Sequence, residues 1–196
     1  MNNRFMITIG VILSVFPLIV RSASTEPETV YSKGLAQIKL TVPADEQARK
    51  YLGLTEEGGQ FGLSDIKADI LIIEIFNMYC PFCQRHAPMA NKLFQAIQAR
   101  IDLKDRVKFI GLGISNSSYE VNIFRQKYSV QFPLFEDKGF LIVNALPGIR
   151  TPHYFSLRKS GDSMELFLSM QGSFDNEGVF LETVLKNSGI KFSDIP

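Results

Sequence analysis

Residues 70–83 read Ile70-Leu71-Ile72-Ile73-Glu74-Ile75-Phe76-Asn77-Met78-Tyr79-Cys80-Pro81-Phe82-Cys83. The first seven are a continuous apolar run without alternation, the pattern of a central strand covered on both faces, broken once by the Glu74 carboxylate. Beyond the cysteines, Ala90, Leu93, Phe94 and Ile97 recur at i, i+3, i+4 and i+7, the spacing of a buried helical stripe. Cys80 therefore stands where a strand hands over to a helix. There the free backbone N–H groups and the positive end of the helix dipole favour a thiolate, the form of sulfur that acts as a nucleophile. Pro81 falls at the first helical position, where a missing N–H costs nothing. Cys83, one turn further in, is placed to attack a mixed disulfide formed at Cys80, so the pair can cycle between dithiol and disulfide. A carboxylate inside an apolar run reads as buried, with its proton affinity raised toward useful exchange.

The same reading extends outward. Val107 to Ile114 is a second apolar strand, and Ser117 and Glu120 have capping-box spacing ahead of a helix carrying Val121, Phe124 and Tyr128. Phe132 to Phe135 reads as a short strand. His153 to Leu157 and Met164 to Met170 form a hairpin around Ser160-Gly161-Asp162. A last helix runs from about Asn176 to Lys186, with Val179, Phe180, Val184 and Leu185 as its apolar side and Gly189 as its stop. Upstream, Gln37 to Val42 alternates like a short strand and Ala44 to Leu52 suits a short helix, whereas Thr25 to Lys33 is polar and reads as a tether. Strands alternating with helices and closing on a hairpin predict an α/β fold with a mixed sheet between helices.

The chain has 196 residues, 45% hydrophobic and 21% charged, with a formal charge of +1. Near-neutrality excludes an electrostatic grip on nucleic acid, and the length suits one domain. Residues 1–24 carry Arg4, an apolar run from Phe5 to Val20 interrupted by Pro17, and the small residues Ser22, Ala23 and Ser24, the grammar of a signal peptide cut after Ser24. The expected division is a signal peptide at 1–24, an N-terminal extension at 25–59 and the main domain at 60–196. Cleavage leaves a protein outside the inner membrane, periplasmic or otherwise extracytoplasmic, without stable membrane insertion. The only two cysteines close so short a loop that a bridge between them adds little stability, so stability is a poor reason for the pair.

On these residues the chain resembles the thioredoxin superfamily, and more narrowly its secreted TlpA/ResA-like thiol-disulfide oxidoreductases. Glu74, six residues before Cys80, matches the buried acid that assists proton transfer at the inner cysteine. Pro88 matches the family's helix-kinking proline, and Thr151-Pro152 resembles the cis-proline that faces the cysteines and holds the substrate backbone. The segment from Val107 to Asp137 resembles the extra strand-helix unit of TlpA-like proteins and peroxiredoxins. The resemblance implies a three-layer α/β/α sandwich with that insertion, catalysis by Cys80, Cys83 and Glu74, and substrate contacts from Tyr79, Pro81, Phe82, Thr151 and Pro152. It also implies a monomer with no cofactor and no metal, acting on protein thiols and disulfides and fed by a membrane thiol donor. Reduction is the favoured direction, because Phe82 stands where many secreted oxidants carry an imidazole.

Two alternatives use the same sulfurs. A peroxidase is suggested by the peroxiredoxin-like insert, although the approach Asn77-Met78-Tyr79 lacks the threonine of such enzymes. A Cu(I) metallochaperone could add His153 to the two soft thiolates. A zinc half-site is disfavoured, since no second cysteine pair exists and His86 and His153 are the only histidines. His86 reads as a solvated surface residue and His153 as the start of a strand.

Overall fold

A computed structural model describes residues 26–192, and the expected signal peptide lies outside them. Among the described residues no helix is long and apolar enough to cross a membrane. The chain order is α1 (Glu26–Gln37), β1 (Lys39–Thr41), α2 (Glu46–Leu52), β2 (Gln60–Gly62), β3 (Ile70–Phe76), α3 (Pro81–Ala99), β4 (Val107–Gly113), α4 (Ser118–Lys127), β5 (Leu134–Glu136), α5 (Leu141–Ala145), β6 (His153–Ser160), β7 (Ser163–Gln171) and α6 (Glu177–Ser188). Five strands form the central sheet in the order β5-β4-β3-β6-β7. β3 is its middle strand, parallel to β4 and antiparallel to β6, which makes the sheet mixed.

Every residue of β3 is buried, as a run apolar on both faces requires. Ile70, Ile72 and Phe76 pack toward α3, α4 and α6 through Ala90, Leu93, Phe124 and Val184. Leu71, Ile73 and Ile75 pack toward α1, α2 and α5 through Leu35, Leu52 and Ile142. The result is a three-layer α/β/α sandwich, with β4-α4-β5 as the extra strand-helix unit. Ser117 and Glu120 form the expected capping box.

Three local expectations are corrected. The segment read as a tether is helical: α1 buries Leu35, and Tyr31 meets Phe155 edge-on at 5.4 Å. Gly34 makes this docking possible, because a Cβ there would collide with the Ala145 carbonyl. In α6, Val179 is exposed and Leu181 is buried, so the helix turns by part of a turn from the face read in the sequence. Phe94 in α3 is only half-buried, and Ala87 and Asn91 help fill the inner face instead.

The upper edge of β4 is closed by a side chain. β5 pairs only with Gly111–Gly113, which leaves Phe109 without a strand neighbour on that side. The Tyr51 hydroxyl of α2 takes the place of one, accepting from Phe109 N at 2.7 Å and donating to Phe109 O at 3.4 Å. Tyr51→Phe deletes both bonds and leaves a buried N–H unpaired, at a cost of about 1–3 kcal/mol. Urea unfolding measures the loss directly, and an unchanged midpoint with an unchanged slope would show that the hydroxyl does not close this edge.

Candidate active site

The site forms where β3 ends and α3 begins. Cys80 is the N-cap of α3, with extended backbone at φ −74° and ψ 115°, and its sulfur accepts from Cys83 N at 3.5 Å. Pro81 occupies the start of the helix, as its fixed geometry suits. The preceding turn is held from three sides. Asn77 Nδ2 donates to Ile114 O at 2.8 Å, Met78 N donates to Asn116 Oδ1 at 2.7 Å, and Gln84 Nε2 donates to Met78 O at 2.8 Å. Asn116 is itself buried and accepts Asp137 N on its carbonyl at 2.9 Å. The loop after β4 thereby sets the position of Cys80.

Across from the cysteines, the Thr151–Pro152 peptide is cis. The Cys80 thiol donates to Thr151 O at 3.4 Å. Pro152 is buried beside this contact and Thr151 half-buried. Tyr79 and Phe82 flank Cys80 on the outside, 64% and 62% exposed, so two large apolar rings lie open around the sulfur. The Tyr79 hydroxyl donates to Glu120 Oε1 at 2.7 Å. The Ser117 hydroxyl, then this Tyr79 bond and the Ser117 N–H, lower the Glu120 carboxyl to about 2. The Arg85 guanidinium lies 4.6 Å from the Phe82 ring centre.

Both cysteines are free thiols in very different surroundings, Cys80 half-buried and Cys83 fully buried. Partial burial pushes the Cys80 thiol up, but hydrogen bonding to its sulfur by the Thr151 side chain and by the Cys83 and Phe82 backbone outweighs it, and the net shift is downward. Burial pushes the Cys83 thiol far up, reinforced by the neighbouring Cys80 and Glu74. Glu74 lies on the same face of β3 as Ile72 and Phe76, the face toward α3, and is buried. Burial raises its carboxyl from 4.5 to about 7, with the Tyr154 hydroxyl pulling the other way. One thiol is made acidic at the surface, the other is kept protonated beneath it, and a carboxyl able to exchange a proton near neutrality lies below both.

The structure thus brings Cys80, Cys83, Glu74, Tyr79, Pro81, Phe82, Thr151 and Pro152 to one end of the sheet. The two histidines behave otherwise. His86 is buried, not solvated, because α3 turns it against Phe174 at 4.5 Å, and burial lowers it to about 4. His153 starts β6 but faces α1, on the side of Tyr31 and Phe155, and bonds Ser169 Oγ at 2.8 Å. Tyr154, next in the strand, faces the cysteines, so His153 points to the opposite side of the sheet and is not positioned as a third copper ligand. Among the described residues no group of three or more His, Cys, Asp or Glu could hold a metal ion. Sequence reasoning misses Asn77, Asn116 and Tyr154. Only Tyr154 carries a signal there, since strand alternation places it on the same face as Pro152, two residues earlier.

Comparison with known proteins agrees with this geometry. The thiol-disulfide oxidoreductase ResA of a Bacillus cereus strain is 23% identical over 150 residues, covering 76% of this chain and 83% of that protein. A secreted disulfide oxidoreductase of Mycobacterium tuberculosis, described as homologous to E. coli DsbE, superposes with a TM-score of 0.54 at 16% identity, over 78% of this chain and 97% of that one. StoA from Bacillus subtilis gives 0.51 at 19% identity, over 64% and 87%. These structural likenesses establish a shared thioredoxin-like fold. The AhpC/TSA family model matches residues 41–160, more than half of the sequence, and the chain therefore belongs to the AhpC/TSA family.

Proposed function

We propose that this protein is an extracytoplasmic thiol-disulfide oxidoreductase that works as a disulfide reductase. The observation that carries the reading is the split between the two sulfurs, a half-buried and acidified Cys80 against a fully buried and protonated Cys83. In the first step the Cys80 thiolate attacks a substrate disulfide, forms a mixed disulfide and expels one substrate thiolate. Cys83 then passes its proton to the Glu74 carboxylate and attacks the Cys80 sulfur. The second substrate thiolate leaves and takes up a proton from solvent, so two electrons have moved from protein to substrate. A membrane thiol donor returns them. Tyr79 and Phe82 offer the incoming chain apolar contact, Pro81 starts the helix that presents Cys80, and Thr151 and Pro152 place a backbone edge beside the reacting sulfur.

Location rests on the leader at residues 1–24, with 25–59 as extension and 60–196 as the redox domain. Direction rests on the environment of Cys80. A dithiol becomes more oxidising as its thiolate is better stabilised. Here burial opposes the hydrogen bonds, and the residue before Cys83 is Phe82 and not an imidazole. The peroxidase alternative gains nothing from Asn77, whose amide is committed to Ile114 O and Tyr79 N.

Equilibration with glutathione is expected to place the potential nearer the ~−270 mV of thioredoxin than the ~−120 mV of DsbA. A value close to the latter contradicts the reductase direction. A second test separates chemistry from stability. Because folding raises the Glu74 carboxyl from 4.5 to about 7, the folded chain keeps a proton that the unfolded chain releases, and stability falls as pH rises across that window. Glu74→Gln removes this penalty, so the variant gains about 3 kcal/mol relative to wild type between pH 4 and pH 8. The same variant resolves mixed disulfides more slowly above pH 7. Equal pH dependence of stability in the two proteins, measured by urea unfolding, would show that Glu74 does not bury its charge.

A further inference from the structure

β5 runs parallel to β4 and β3, and Glu136 is level with Gly113 and Phe76, so the chain leaving β5 emerges at the end of the sheet where Cys80 stands. Residues 138–150 cross that end. They finish at Arg150, next to the Thr151 carbonyl that meets the Cys80 sulfur at 3.4 Å. Within them Phe140 and Leu141 are 57% and 56% exposed. Apart from Ile101 beyond α3, the large apolar side chains left exposed among the described residues all lie toward this end, Tyr79 and Phe82 included.

Neither packing nor turn geometry accounts for Phe140 and Leu141. Phe140 sits in the left-handed region at φ 60°, which glycine or asparagine adopts far more readily than an aromatic residue. Its ring gains no enclosure in return. Nor is the segment loose at its start. The buried Asp137 carboxylate accepts Ile142 N at 2.6 Å, Val143 N at 3.1 Å and Ser115 N at 2.9 Å, which ties the start of α5 to the loop after β4. A strained and braced backbone that projects two large apolar side chains has the arrangement of a docking tip.

Charge indicates what the tip meets. Lys138 and Arg150 are both exposed, and residues 138–150 contain no Asp or Glu. Glu120 on α4 and Asp175 before α6 belong to the other face of the sheet. Apolar side chains between exposed cations suit the boundary of an anionic bilayer, where aromatic rings sit at headgroup level and cations meet lipid phosphate. The direction of α1 is a second indication. Its Tyr31 meets His153 and Phe155, and one turn later Leu35 shares a cavity with Leu157 and Asp162. His153 pairs with Ile75 and Leu157 with Leu71, so α1 runs away from the Cys80 end, and the residues before Glu26 join the fold there. Those residues carry the apolar run from Phe5 to Val20, a membrane-seeking sequence.

We propose that residues 138–150 dock the Cys80 end of the protein on an anionic lipid surface, with Phe140 and Leu141 entering the interface and Lys138 and Arg150 on the headgroups. The inference adds to the thiol-disulfide reading and does not depend on it. Docking brings Cys80 to the bilayer surface, within reach of a membrane thiol donor, but the binding itself uses no thiol.

The chain contains no Trp, so Phe140→Trp and Ile101→Trp each place a single fluorophore, at opposite ends of the sheet. The whole chain is reconstituted in vesicles of phosphatidylcholine and phosphatidylglycerol, and the chain cut after Ser24 is added to the same vesicles. In both, the Phe140→Trp emission is expected to shift to the blue and to be quenched by brominated acyl chains, while the Ile101→Trp emission does neither. For the cut chain, adding Lys138→Gln or Arg150→Gln to Phe140→Trp weakens vesicle binding about fivefold each. Raising the salt weakens it further. A Phe140→Trp emission that ignores the vesicles overturns the docking and leaves the tip to a protein partner. Equal responses from the two reporters, or equal binding to phosphatidylcholine alone, overturn it as well. Release of thionitrobenzoate from its chromogenic disulfide, measured without vesicles, keeps the two readings apart. A Phe140→Ser chain that releases it at the wild-type rate yet no longer binds vesicles supports the docking. A wild-type chain that binds vesicles but releases none contradicts the thiol-disulfide reading alone.

Discussion

A strand buried on both faces has to deliver its chain to something at its carboxyl end, and in this protein β3 delivers it to the N-terminus of α3. The remaining features of the site follow from that handover. The helix start supplies the otherwise unpaired Cys83 N–H that holds the Cys80 sulfur. The enclosure that makes β3 apolar is what buries Cys83 and Glu74 one turn below. Partial exposure of one sulfur and full burial of the other are thus two consequences of one packing arrangement, and their opposite shifts in acidity need no additional device.

The arrangement has an energetic cost. Orphaned buried polar atoms each cost about 1–3 kcal/mol, and this face of the sheet carries them on Glu74, Tyr154 and His86. The cost is offset around the site. β3 and β4 are fully enclosed, and the turn before Cys80 is held by Asn77, Asn116 and Gln84. The β4-α4-β5 unit contributes to that support, since Asn116 lies in the loop between β4 and α4 and is braced by Asp137 beyond β5. Its Glu120 also reaches the Tyr79 hydroxyl at the rim. A segment that the sequence marks only as an additional layer therefore acts on the reactive turn from both sides.

The elements legible in the sequence are those governed by local pattern. The apolar run of β3, the capping box at Ser117 and the hairpin around Gly161 each depend on residues a few positions apart, and each lies where the pattern places it, as does the stripe of α3 except at Phe94. Cys80, Cys83 and Glu74 are legible as candidates because thiols at a strand-helix junction and a carboxylate within an apolar run are unusual enough to stand out. What escapes depends on distant partners. α1 looks loose because its polar surface conceals that Leu35 and Tyr31 find β6 and its neighbours across the fold. His86 looks exposed because nothing in its own helix announces Phe174, which lies far along the chain beyond β7. Asn116 is one polar residue in a polar loop until the fold brings it to Met78.

The account stands on the contrast between two sulfurs three residues apart. Site-resolved alkylation of the fully reduced protein with iodoacetamide across pH, with each cysteine followed by peptide mass spectrometry, measures that contrast without a substrate. Cys80 is expected to react with a midpoint below that of an ordinary thiol, while Cys83 stays unmodified throughout the neutral range. Two cysteines that alkylate at similar rates with ordinary midpoints would contradict the account at its base.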